Sequence, residues 1–173
     1  LGCKGCKGEC PNSVDMTRLK AEVLHQQGLY RRGRSRFFTH QAALAAIAVG
    51  PQAKLVNALL GYQPLRRFLQ GSLGLAADRP LPRFANERLS AWFTKRAPQA
   101  LSGITSGRVL LFNDTYLEHY QPQIGIAAIE LLEAAGYGVK LVSLGDSQRG
   151  AISQGDLDRA KRMGTELFKQ LDQ

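Results

Sequence analysis

Acidic charge, histidine and long apolar runs are scarce in this chain. Of its 173 residues 14 are Asp or Glu against 23 Lys or Arg, a net charge of +9. No apolar run approaches the ~20 residues that a spanning helix needs. The chain opens with neither a methionine nor a signal peptide. Its three histidines, His25, His40 and His119, stand at no ligand spacing to a cysteine or carboxylate, so surface or core positions are expected for them. No Ser/His/Asp constellation, phosphate loop or paired acid and base is present, which excludes carbon chemistry by the chain's own side chains. Glu118 and Glu130 read as helix-surface charges. The positive balance suits an anionic partner. Yet the basic residues are dispersed, apart from Arg31-Arg32-Gly33-Arg34-Ser35-Arg36. No nucleic-acid-binding motif accompanies them, so nucleic acid is not an expected partner. A solvated basic segment is expected there, with an acidic partner or an anionic membrane surface as the alternative.

Cysteine is scarce too, but its placement is informative. The three cysteines all fall in the first ten residues, as Cys3-Lys4-Gly5-Cys6-Lys7-Gly8-Glu9-Cys10-Pro11. The spacing C-x2-C-x3-C-P is the last three-quarters of the bacterial ferredoxin run C-x2-C-x2-C-x3-C-P. On that pattern a first cysteine would precede Leu1, and the chain reads as the C-terminal piece of a larger redox protein. Glycines 5 and 8 suit a loop that turns sulfurs inward, and Pro11 redirects the chain after the last ligand. Cys3 and Cys6 would share one [4Fe–4S] cluster, and Cys10, the cysteine before proline, would reach a second one. Zinc wants four ligands, a thioredoxin-like pair wants a preceding strand, and an odd count at tight spacing fits disulfides poorly.

Further along, Asp15 is a plausible N-cap for a helix reaching about Tyr30, with Met16, Leu19 and Val23 on its apolar face. A second helix is expected over Phe37–Val49, stopped by Gly50-Pro51, then a shorter one over Gln52–Leu60 and another after Pro64. Asp78–Arg83 reads as an extended linker, Asn86–Lys95 as a helix, and Ala97–Gly107 as a boundary. The pattern then becomes β-α-β-α. Arg108–Phe112 reads as a buried strand. The helix from Pro122 carries Ile124, Ala128, Leu131, Leu132 and Ala135 and stops at Gly136. Val139–Ser143 reads as a second strand, and Gly145–Gly155 as a loop. A last helix, capped by Asp156, carries Leu157, Ala160, Leu167 and Leu171. The fold class expected is a mixture of α+β and α/β: a ferredoxin-like iron–sulfur segment (1–35), a helical connecting region (36–100) and a truncated Rossmann-like unit (107–173). Asp114 and Thr115 end the first strand, where turn and helix-cap chemistry competes with binding.

Several of these segments resemble one family, the FAD-linked oxidases with a C-terminal iron–sulfur and cysteine-rich region. The resemblance rests on Cys3 to Pro11 with Val14-Asp15-Met16 and Leu19-Lys20-Ala21-Glu22. It extends to Leu111-Phe112-Asn113-Asp114-Thr115-Tyr116, and to Pro122–Ala128 continuing through Leu132-Glu133-Ala134-Ala135-Gly136-Tyr137. It implies an electron-exit module of a flavin-linked dehydrogenase of a 2-hydroxy acid such as D-lactate, glycolate or D-2-hydroxyglutarate. FAD would sit in an upstream domain of the same parent chain. The acceptor would be a quinone or a redox protein. The location would be cytoplasmic, with peripheral attachment to the inner face of the membrane as a further option. The alternatives are a separate electron-transfer subunit, similar to that of anaerobic glycerol-3-phosphate dehydrogenase or heterodisulfide reductase, and a cluster-free interaction module. The chain departs from the family's Cys-Cys-Gly-Arg-Pro-like motif at Asp146-Ser147-Gln148-Arg149-Gly150, where Asp146 and Ser147 replace both thiols while Arg149 and the downstream Ile152-Ser153 and Gly155 keep the pattern. Carboxylate and hydroxyl are poor ligands for iron–sulfur chemistry. Asp114 and Arg149 are therefore expected to shape an acceptor or partner loop, beyond the carboxyl ends of the strands.

Overall fold

The computed structural model describes residues 5–96 and 104–171. Cys3 and most of the expected boundary at 97–107 lie outside them. The chain forms two compact units. One runs up to Gln41 and resumes at Ser147; the other is Ala42–Asp146. This division cuts the chain elsewhere than the composition-based segments do. The reason lies in the last two helices, which pack against the first two rather than belonging to the unit of the strands.

In the first unit, a 3₁₀ turn at Gly5–Lys7 precedes α1 (Met16–Gln26). Another 3₁₀ turn at Leu29–Arg31 leads into α2 (Gly33–Thr39). Arg31, Arg32, Arg34 and Arg36 are all exposed. The helix expected over Phe37–Val49 is broken at His40, where α2 ends and a new helix starts at Gln41. The expected loop at 145–155 contains α9 (Arg149–Gln154), and α10 (Leu157–Leu171) follows. Leu157, Ala160 and Leu167 are half-buried, while Met163 and Phe168 stay exposed. Asp156 accepts the Arg159 amide at 3.3 Å, as a capping residue does. Helix α9 packs on α1 and α2, and its glycines are what let it do so. Gly155 has φ +82°, and a Cβ there would stand 2.8 Å from the His25 amide nitrogen. A Cβ on Gly150 would stand 2.7 Å from the Phe38 carbonyl oxygen.

Helix α1 keeps the expected period but buries a different face. Ala21 is buried, with Leu24, His25 and Gly28 half-buried, while Met16, Leu19 and Val23 are exposed. The spacing i, i+3, i+4, i+7 is common to any apolar stripe, and only the position of the packing partner selects the stripe.

The second unit opens with α3 (Gln41–Ala48), α4 (Ala53–Gly61) and α5 (Gln63–Leu73). Its extended stretch is pinned in place: the Asn57 amide donates to the Phe84 carbonyl at 2.9 Å and accepts the Phe84 amide at 2.9 Å. Helix α6 (Leu89–Lys95) leads to β1 (Gly107–Phe112), α7 (Thr115–His119), α8 (Pro122–Ala134) and β2 (Tyr137–Val142). The strands pair in parallel, in register from Gly107↔Tyr137 to Phe112↔Val142. The strand expected to be buried is half-exposed instead, and Leu110 is 64% exposed. Its register partner Lys140 is also exposed, so this side of the pleat carries no covering layer among the described residues. Helix α8 likewise buries Gly125 and Ile129 rather than Ile124 and Leu131. Arg96 closes the α6 end by forking onto Glu133, both contacts at 2.7 Å.

Among the described residues no single helix is long and apolar enough to cross a membrane; α3 and α4 meet at a 118° bend.

The tightest helix contact sets a testable limit. A Cβ on Gly125 would lie 2.4 Å from Cδ2 and 3.3 Å from Cγ of Leu89, which is fully buried, so it can yield only by pressing on its packed neighbours. Gly125→Ala should therefore destabilise the fold by about 1–3 kcal/mol through overpacking, despite alanine's better helix propensity. Urea denaturation monitored by Trp92 fluorescence reads this out; a variant as stable as the parent would contradict it.

Candidate functional site

The cysteine loop is built from short-range contacts. The Gly5 carbonyl accepts the amides of Gly8 at 3.1 Å and Glu9 at 3.2 Å, which tightens the 3₁₀ turn around Cys6. The chain then turns again over Cys10–Ser13, with the Ser13 amide on the Cys10 carbonyl at 3.0 Å. Pro11 occupies the second position of that turn, where its fixed φ is favoured. The left-handed residue is Ser13, at φ 54°, rather than Gly8. Cys6 is exposed, Cys10 is half-buried, and both are free thiols. Two soft sulfurs on a tight loop fit iron–sulfur chemistry in kind. On the ferredoxin pattern they serve two different clusters, so each supplies one of the four thiolates that a cluster takes, and among the described residues no group of three ligand-type side chains forms. Cys3, the remaining expected ligand, lies outside the described residues.

The N-terminal end of α1 does not present bare amides to this loop. Asp15 caps it, its carboxylate accepting the amides of Thr17 and Arg18, each at 3.1 Å, and the Thr17 hydroxyl at 2.6 Å. Lys7 reaches back from the loop to Asp15 at 3.4 Å. The Thr17 hydroxyl first, then the Arg18 amide and the Lys7 charge, hold the Asp15 carboxyl at a pKa of about 2, below the ordinary 3.8. The positive end of the helix is thus answered by a carboxylate, which is itself paired with a loop lysine.

A second site lies in the unit of the strands. Asn113, directly after β1, and Ser143, directly after β2, sit at the carboxyl ends of the parallel pair. Such ends are where open α/β sheets place ligands. A cavity of about 270 Å³ opens there, lined by residues from α3, from the β1–α7 segment and from the segment after β2. Glu118 organises its wall. Its carboxylate accepts the Ser90 amide at 3.0 Å, the Ser90 hydroxyl and the Asn113 side-chain amide. The same Asn113 nitrogen donates to the Ser143 hydroxyl at 2.9 Å. Both bonds need the nitrogen on that side, which fixes the flip of the amide. The Asn113 carbonyl oxygen is then left buried with no donor among the described residues, as is Nδ1 of His119. A buried polar atom without a partner costs about 1–3 kcal/mol. Thr115 donates its hydroxyl to Asp146. Burial pushes the His119 imidazole below its ordinary pKa; Arg88 adds to this, while Glu118 and Asp146 oppose it.

The sequence-predicted residues distribute as follows. Cys6 and Cys10 share one loop. Asp114 caps α7, accepting the amides of Tyr116 at 3.0 Å and Leu117 at 3.1 Å, and it also lines the cavity. Arg149 is exposed and opens α9 in the other unit. Glu118, expected on a helix surface, is instead the half-buried acceptor of three donors. The sequence reading does not assemble Asn113, Thr115, Glu118, His119 and Ser143 into one group. The signal that could have found them is polar residues standing directly after two successive apolar strands.

No protein-family model matches the chain, and no solved structure does. The chain is distantly similar to one component of a dehydrogenase. That protein is the C subunit of the anaerobic glycerol-3-phosphate dehydrogenase of Escherichia coli strain K12. The two are 29% identical over 93 residues, which cover 54% of this chain and 23% of that protein. Its counterpart from Escherichia coli O157:H7 matches to the same extent. The match thus spans about a quarter of the length of these curated relatives.

Two outcomes follow from this geometry. Because the Asp15 pKa is lowered, its stabilising effect is fully present above about pH 4 and is lost as pH falls toward 2. Side-chain carboxyl NMR should show Asp15 titrating near 2, and Asp15→Asn should remove that step from the acid unfolding curve; titration near 4 would contradict the assignment. Glu118→Ala strands the donors of Ser90 and Asn113 and should lower stability by about 2–3 kcal/mol. Glu118→Gln, which retains one acceptor, should cost less in the same urea series.

Proposed function

We propose that this chain is an iron–sulfur electron-transfer part of a dehydrogenase, working beside a catalytic flavin-bearing component. The observation that carries the reading is the C-x2-C-x3-C-P run, with Cys6 and Cys10 as free thiols on one tight loop. The similarity to the C subunit of anaerobic glycerol-3-phosphate dehydrogenase supports a separate electron-transfer subunit over a module fused to a 2-hydroxy-acid oxidase. Cys3, Cys6 and Cys10 would ligate [4Fe–4S] clusters, the remaining thiolates coming from elsewhere in the assembly. When bound, such a cluster passes single electrons. This chain's residues hold the thiolates in place, and Lys7 beside the loop supplies positive charge that favours the reduced, more anionic state. The exposed ridge of Val14, Met16, Leu19 and Val23 next to the loop offers apolar surface for the neighbouring component. The ferredoxin-like reading of the N-terminal segment belongs to this proposal. So does the Rossmann-like reading of the β1-α8-β2 segment, supported by its parallel register with a helix between the strands.

The test is anaerobic purification and reconstitution of the intact protein with its dehydrogenase partner, read by iron analysis and EPR of the reduced state. Cys6→Ser and Cys10→Ser should each lower iron content and broaden or abolish the cluster signal while leaving the far-UV circular dichroism unchanged. A full iron complement in both variants, or stoichiometric zinc in place of iron, would overturn the proposal.

A further inference from the structure

The uncovered side of the strand pair has a composition that says what fits it. Arg108, Leu110, Gly138 and Lys140 share that side, because Arg108 pairs with Gly138 and Leu110 with Lys140 in parallel register. All but Gly138 are exposed. Gly138 lets side chains lie flat on the sheet: a Cβ there would stand 2.7 Å from Cδ1 of Ile104 and 3.3 Å from Cγ of Arg108. These residues line a groove of about 710 Å³, together with Phe93 and Ile104. The groove's lining carries three cations and no carboxylate. Arg96 is already taken by Glu133. Arg108 and Lys140 have no ion pair among the described residues. Residues 97–103, between α6 and Ile104, contain no charge at all, so the adjoining connection brings no acid to them. Two unanswered cations thus flank an open leucine on one face of a parallel pair.

We propose that this face docks an acidic amphipathic helix of a partner protein. Parallel sheets bury both faces, and helices are what cover them; here α8 packs on β2, and the Leu110 side lacks its layer. Each strand has six residues, a length of about 20 Å, which a helix of about 13 residues spans. The apolar stripe of that helix covers Leu110, and carboxylates on its flank meet Arg108 and Lys140. A small ligand fits less well, because ligand pockets enclose most of their ligand while Leu110 stands 64% exposed. A second copy fits less well, because a symmetric contact would set the same two cations against themselves. An anionic membrane is usually read by clusters of about four to eight cations, twice or more what this face has to offer. The proposal does not rest on the cluster reading of the cysteine loop.

The experiment titrates the full chain, labelled with ¹⁵N, at constant ionic strength. The main probe is a terminally blocked helical peptide of about 14 residues, with leucine along one face and glutamate on both flanks. Its controls are the same peptide with lysine for glutamate, sodium octanoate, and vesicles of phosphatidylcholine with phosphatidylglycerol. The acidic peptide should give saturable shifts centred on the backbone amides of Leu110 and Lys140, and should bind about tenfold or more tighter than the lysine peptide. Arg108→Glu combined with Lys140→Glu should reverse that preference, and thermal melts check that the double variant is folded. If it is not, Lys140→Gln replaces it, and should weaken the acidic peptide without weakening the lysine peptide. Several results would overturn the proposal: no saturable shift with the acidic peptide, equal affinity for the two peptides, or a preference unchanged in the folded variant. So would saturation of the same amides by octanoate, their loss on vesicles, or their concentration-dependent shift with a dimer in sedimentation.

Discussion

The Glu118 carboxylate is the interaction on which the second unit's functional end depends. It draws in the first turn of α6 through Ser90 and the end of β1 through Asn113, while its own backbone belongs to α7. Charge-assisted bonds of this kind are roughly twice as strong as neutral ones, and here one acceptor ties Ser90, 28 residues back in the sequence, to the adjoining end of β1. Its placement also decides the orientation of the Asn113 amide, and so decides which atom of that amide is left buried without a donor among the described residues. A carboxylate at the start of α6 further suits the partial positive charge of the helix end, next to Leu89, which Gly125 admits into the core.

The first unit solves a different problem. Its loop is shaped by few residues: a 3₁₀ turn closed on the Gly5 carbonyl, a proline turn, and an aspartate that caps α1 and takes Lys7. Cys6 stays exposed beside these contacts, while Cys10 is half-buried. The cost is an exposed apolar ridge on the adjacent helix, left where a tightly closed small domain would have placed its core.

Much of the local structure could be read from residue types. Asp15, Asp114 and Asp156 cap as their side chains allow. Gly50-Pro51 ends a helix, and Pro122 opens one. The two apolar runs form strands that pair in parallel. The misses share one cause. Burying Ala21 rather than Val23, Ile129 rather than Leu131, or leaving Leu110 open depends on where the next layer lies, and periodicity does not encode the direction of a neighbour. The helix at Arg149–Gln154 was hidden because its sequence is small and polar, with glycines at 150 and 155. Those glycines serve close packing against the Phe38 carbonyl and the start of the His25 backbone, not a turn alone.

By itself the sequence determined the spacing of its three cysteines and the polar residues that stand directly after two apolar runs. These follow from residue identity and short-range geometry, which need no partner to act. The tertiary structure alone decided that Glu118 is a hub rather than a surface charge, that α9 and α10 belong with the cysteine loop's unit, and that Asn113 and His119 keep buried atoms without partners among the described residues. Each of these is a long-range choice among contacts of similar local merit. Close packing and the demand that buried polar groups find partners settle such choices only when the whole chain is folded.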